Sequence, residues 1–143
     1  QVQKYRSRVS GPLLDRIDLH VQVPELDQLL LAKLQKQNAN AEDPLPRLKE
    51  KVKSAMDAQL QRQGCLNVKL SGSALDAEIA NANISEKFLH RAIEQFHLSA
   101  RSYHKIWRIA RTLADLDEQS IISEANFMQA LNFRSINWEA DSF

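Results

Sequence analysis

The chain has 143 residues, enough for one domain with a modest core at 43% hydrophobic content. A mean hydropathy of −0.43, with no apolar run near the roughly 18 residues that cross a bilayer, excludes a membrane span, and the opening Gln-Val-Gln-Lys-Tyr-Arg lacks the apolar centre of a secretory leader. The net charge of +1 gives no composition-level reason to expect nucleic acid, and the single cysteine, Cys65, excludes an intrachain disulfide and argues against zinc, so the expected compartment is a reducing cytosol.

In chain order, Gly11-Pro12 is a turn signal, and Ile17 to Val23 alternates apolar and polar with period two. This predicts a strand with Ile17, Leu19, Val21 and Val23 on one face, ended by Pro24. No second strand pattern follows. A lone strand leaves its backbone donors and acceptors unmet, so this one is expected to belong to a sheet supplied from elsewhere. With the missing initiator Met, it leads to the expectation that the chain is a segment of a longer protein.

Everything after Pro24 reads as helical. Asp27 to about Gln37 carries Leu29, Leu30 and Leu34 at helical spacing, and Asn38 to Pro46 reads as a loop. From Arg47 to Arg62, Leu48, Val52, Ala55, Met56 and Leu60 form an apolar stripe, with Gly64 as the stop. Leu66 to Leu70 reads as extended or irregular. Ser73 is expected to cap a short helix with Leu75 and Ile79, and Asn83 or Ser85 to cap the next, with Phe88, Leu89, Ala92, Ile93 and Phe96 inward. Ser99 caps a long helix to Leu116, and Ser123 starts a last one with Phe127, Ala130 and Leu131. The tail from Ser135 to Phe143, which includes Trp138, has no clear pattern.

Two arginines stand out chemically. Arg16 lies between Asp15 and Asp18, and its local reading is a surface ion pair worth about 0–1 kcal/mol. Arg101 falls in the first turn after Ser99, where a cation opposes the helix dipole at a cost of roughly 0.3–1 kcal/mol. A helix N-terminus joined to a guanidinium is a phosphate site in outline, whereas the local alternative is an arginine reaching into solvent. On the long helix, Tyr103, Ile106, Trp107, Ala110, Leu113 and Ala114 share an apolar face. Arg101, His104, Arg108, Arg111 and Asp115 cluster on another, where the arginines either pair with Asp115 and Asp117 or form a subunit contact. Gly11, Gly64 and Gly72 are the only glycines and none precedes Lys-Ser or Lys-Thr, so the chain holds no phosphate-binding loop. His20, His90, His97 and His104 form no metal-ligand pattern with carboxylates.

Ser10 to Pro24 and Ser99 to Leu116 together resemble the C-terminal part of the magnesium-chelatase-like ATPases of the ComM/YifB family, within the AAA+ superfamily. The likeness runs over about residues 5–24 and 97–134, and the Asn-containing segment at Leu66-Asn67 is a weaker match. The fold it implies is mainly α: a helical lid at 25–134, preceded at 1–24 by the end of the α/β nucleotide-binding core with its last strand, and followed by a tail at 135–143. By resemblance, Leu13-Leu14-Asp15-Arg16-Ile17 makes Arg16 an arginine finger reaching the γ-phosphate on a neighbouring subunit. A guanidinium suits this because it stays charged and presents a planar fork of donors. Ser99-Ala100-Arg101 makes Arg101 the sensor-2 arginine, which contacts the γ-phosphate of ATP. The parent is then a cytoplasmic ring, a hexamer, using ATP and Mg²⁺ to move DNA strands, while this segment binds neither tightly and hydrolyses nothing alone. The alternatives are the ATPase subunit of a true magnesium chelatase, which shares the architecture, and a stand-alone helical module binding nucleic acid or protein.

Overall fold

The computed structural model describes residues 16–21, 23 and 43–134. The expected helix at 27–37, the start of the turn before Arg16 and the tail from Ser135 lie outside the described residues.

Among the described residues five α-helices follow one another: α1 (Leu45–Gln63), α2 (Gly72–Ala80), α3 (Glu86–Gln95), α4 (Ala100–Leu116) and α5 (Glu124–Asn132), with a 3₁₀ turn, Asn67–Lys69, between α1 and α2. The domain is mainly helical, as the patterning predicts. The starts are local chemistry. The hydroxyls of Ser85, Ser99 and Ser123 accept the backbone N–H three residues on, and at Ser123 the Asn126 side chain returns the bond to complete a capping box. Gly64 closes α1 in the left-handed region at φ 71°.

Four boundaries differ from the sequence reading. α1 starts at Leu45, with Pro44 as its cap and Pro46 in the first turn, because a first-turn proline gives up only an N–H that has no helical partner. α2 starts at Gly72 after Ser71, which places Ser73 inside the helix. Residues 67–69 coil into a 3₁₀ turn because Lys69 and Leu70 donate to the carbonyls of Leu66 and Asn67. The residues expected to form a strand make no ladder: among the described positions 16–21 and 23 no strand is present. The apolar face of Ile17, Leu19, Val21 and Val23 is exposed there. An alternating pattern fixes which side chains share a face, but pairing needs a partner strand.

α4 is the hub, packing on α1, α2, α5 and the 3₁₀ turn. Its Ile106, Trp107, Ala110 and Ala114 are fully buried with Phe127, Ala130 and Leu131 of α5, Leu75 of α2 and Ala92 of α3. Trp107 and Phe127 meet edge to face with centroids 4.8 Å apart, with Phe88 and Tyr103 continuing the aromatic cluster. The backbone joins α3 and α5 at their starts: Asn83 bridges Ser123 in parallel, Asn83 N–H donates to the Ile122 carbonyl, and Glu124 Oε1 accepts from both the N–H and the hydroxyl of Ser85. A carboxylate at two adjacent helix N-termini is favourable to both dipoles.

The stripe on α1 forms as predicted but is not covered. Of its members only Ala55 is buried. Leu48, Val52, Met56 and Leu60 are exposed with Leu45, and the side of α1 facing α4 is the one carrying Ala55 and Gln59.

Candidate functional site

Arg16 lies in a turn and is exposed, and among the described residues it forms no hydrogen bond or ion pair. Asp18, its expected local partner, is engaged elsewhere: its Oδ1 meets Nζ of Lys105 at 2.6 Å. The neighbouring backbone is fastened too, with the His20 N–H donating to the Phe133 carbonyl at 2.6 Å. The turn carrying Arg16 is thus tied to α4 and to the end of α5.

Arg101 is the second residue of α4. Ser99 Oγ accepts the Ser102 N–H at 3.2 Å and shares a bond with the Ser102 hydroxyl at 2.8 Å. There is no acidic side chain in that first turn. Arg101 is exposed and has no hydrogen-bond or ion-pair partner among the described residues. Arg101, at a capped helix N-terminus, and Arg16, in the turn, each present a guanidinium with no partner among the described residues, a donor type that suits phosphate oxygens. His104 is exposed, with its ring 6.0 Å from that of Tyr103. Among the described residues there is no cluster of His, Cys, Asp or Glu able to hold a metal ion.

The rest of the polar face of α4 departs from expectation. Arg108 is half-buried and donates to the Leu70 carbonyl. Arg111 and Asp115 are buried, at 0% and 6% exposure, because α1, α2 and the 3₁₀ turn close over that side of the helix. Asp115 accepts a two-pronged contact from Arg62 of α1 (2.7 and 3.1 Å), a hydrogen bond from Arg111 Nε with Nη2 of the same guanidinium also in ion-pair contact, and a bond from a third group, Asn67 Nδ2, at 2.8 Å. Glu78 of α2 meets both arginines from the other side, at 3.2 and 3.3 Å. Gln59 takes the Asn67 N–H, and Gln63 and Arg62 donate to Asn67 Oδ1. Two guanidiniums and two carboxylates cancel, which is how so much charge is tolerated indoors. Burial alone pulls the Arg62 guanidinium down, but the hydrogen bond to Asp115 and the charges of Asp115 and Glu78 more than offset it, holding its pKa above the ordinary value.

Pairing of Arg111 with Asp115 was readable from their i,i+4 spacing. The roles of Arg62, Asn67 and Glu78 were not, because their partners on α4 lie 33 to 53 residues away along the chain.

Residues 44–134 match the family model described as magnesium chelatase, subunit ChlI C-terminal, and residues 1–31 match that of magnesium chelatase, subunit ChlI. The chain is similar to competence protein ComM of Haemophilus influenzae, with 32% identity over 95% of its length. It is also similar to the proteins named YifB of Salmonella typhimurium and Escherichia coli, each with 28% identity over 96% of its length. The chain spans about a quarter, 26%, of the length of each of these relatives.

Proposed function

The chain belongs to the magnesium-chelatase-like ComM/YifB family, as part of its C-terminal region, and from that premise we propose that it is the lid of a ring-forming AAA+ ATPase of the cytoplasm. The lid contributes two arginines to ATP hydrolysis. Arg101 contacts the γ-phosphate bound by its own subunit, and Arg16 completes the site of the neighbour. The observation that carries this is the pair of exposed guanidiniums that have no partner among the described residues, one of them in the first turn of a Ser-capped helix. Bound ATP with Mg²⁺ supplies the phosphoryl group, and what these residues add is positive charge placed where negative charge develops during transfer. The parent ring, a hexamer, then uses turnover to move DNA strands.

Subunit mixing in the full-length parent tests both assignments. Arg16→Ala is expected to lower ATP turnover by about 10³-fold or more, as is loss of the phosphate-loop lysine. Mixing the two variants should restore turnover if Arg16 acts across the subunit boundary, since a ring then contains intact cores beside intact fingers. Arg101→Ala mixed with the lysine variant should stay inactive if Arg101 acts within its own subunit. Full activity of Arg16→Ala by itself returns Arg16 to the surface.

A further inference from the structure

The Asp18–Lys105 pair ties the turn that carries Arg16 to the helix that carries Arg101, and neither residue has a role in the reading above. Lys105 lies four residues after Arg101, hence one turn further along the same face of α4. Asp18 lies two residues after Arg16. Their side chains differ in setting: Lys105 is 9% exposed and Asp18 59%. The ammonium group is sunk against the helix face and the carboxylate comes in from the solvent side to meet it at 2.6 Å. A nearly buried ammonium strongly favours keeping a carboxylate at hand, because losing it leaves a desolvated charge less well compensated. The segment 16–21 otherwise exposes its apolar residues Ile17, Leu19 and Val21, so no core packing by these side chains anchors the turn. Among the described residues its fastenings include this ion pair, the His20 N–H bond to the Phe133 carbonyl and a longer contact of the His20 ring with the Arg134 carbonyl.

From this geometry we infer that Asp18 and Lys105 are positioning residues for Arg16. They hold the finger turn in a fixed place relative to the helix that begins with Arg101, so that a shift of α4 on nucleotide binding is passed to the finger presented to the next subunit. Neither touches the nucleotide. The inference rests on the finger reading of Arg16 and adds a coupling route between neighbouring sites.

Asp18→Asn is the variant to use, since Asp18 is the exposed partner and its loss leaves the core intact. It is placed in one or the other member of the mixed rings of the full-length parent. In the subunit that lacks the phosphate-loop lysine, which donates the working finger, Asp18→Asn should cut the restored turnover by about tenfold. In the Arg16→Ala subunit, which donates no finger, the same change should leave restored turnover within about twofold. Asp18→Glu in the donor should recover most of the loss. Equal losses in both placements mean a general structural role and overturn the inference, as does full turnover with the change in the donor. Failure of the unmodified mixture to recover at all condemns the finger reading of Arg16 instead, so the two failures are separable.

Discussion

At the scale of single residues, the part-buried box of Arg62, Glu78, Arg111 and Asp115 with Asn67 decides how α1 and α2 sit on α4. Its charges cancel, so its value lies in specifying one arrangement more than in net stability, and removing a single member is far worse than never having had the set. Asp115→Asn should therefore destabilise the domain by about 3–5 kcal/mol in urea unfolding, by leaving two guanidiniums short of a carboxylate. Lys51 and Asp117 form an ion pair at 3.4 Å with both side chains about half exposed, and Lys51→Ala should cost no more than about 1 kcal/mol. The contrast cannot be read from residue type. The i,i+4 spacing names Arg111 and Asp115 as partners, but which face of a helix two other elements will cover is decided by contacts distant in sequence.

At the scale of elements, local chemistry is legible and coverage is not. Ser85, Ser99 and Ser123 announce their helices, and Ser123→Ala should lower stability by about 1 kcal/mol through loss of the capping box. Helix ends are less predictable. Both α3 and α4 finish with a residue other than glycine in the left-handed region, His97 at φ 46° and Glu118 at φ 56°. In each, the next residue's N–H returns to a carbonyl five residues back, Leu98 to Ile93 and Gln119 to Ala114. A Cβ is strained in that conformation, so Glu118→Gly is expected to raise stability by about 0.5–1 kcal/mol, visible as a higher melting temperature. The stripe on α1 teaches the complementary lesson. Its period shows correctly that Leu48, Val52, Met56 and Leu60 share a side, yet periodicity carries no information on whether anything lies against that side. Trp107→Ala, in the covered centre, should cost about 3–5 kcal/mol, while Val52→Ala should be nearly neutral.

At the scale of the whole molecule, the described residues form a helical domain built round α4, and among them the strand pattern ahead of it makes no ladder. The sequence has no phosphate-binding loop, so the isolated chain should show no tight ATP binding in equilibrium dialysis and no turnover. Hydrolysis by a clean preparation would place catalytic groups within these 143 residues and overturn that view. One further consequence follows from Arg111, whose guanidinium reaches past Asp115 to the carbonyls of Gln119 and Ser120. A surface connection ordinarily absorbs an extra residue cheaply, since each doubling of loop length costs only about 0.6 kcal/mol. Here the connection between α4 and α5 is measured out against a side chain rooted in the interior. A residue inserted after Gln119 would slide the Ser120 carbonyl off Arg111, costing a buried cation one of its acceptors, so this short exposed link should tolerate a change of length less well than an ordinary surface loop.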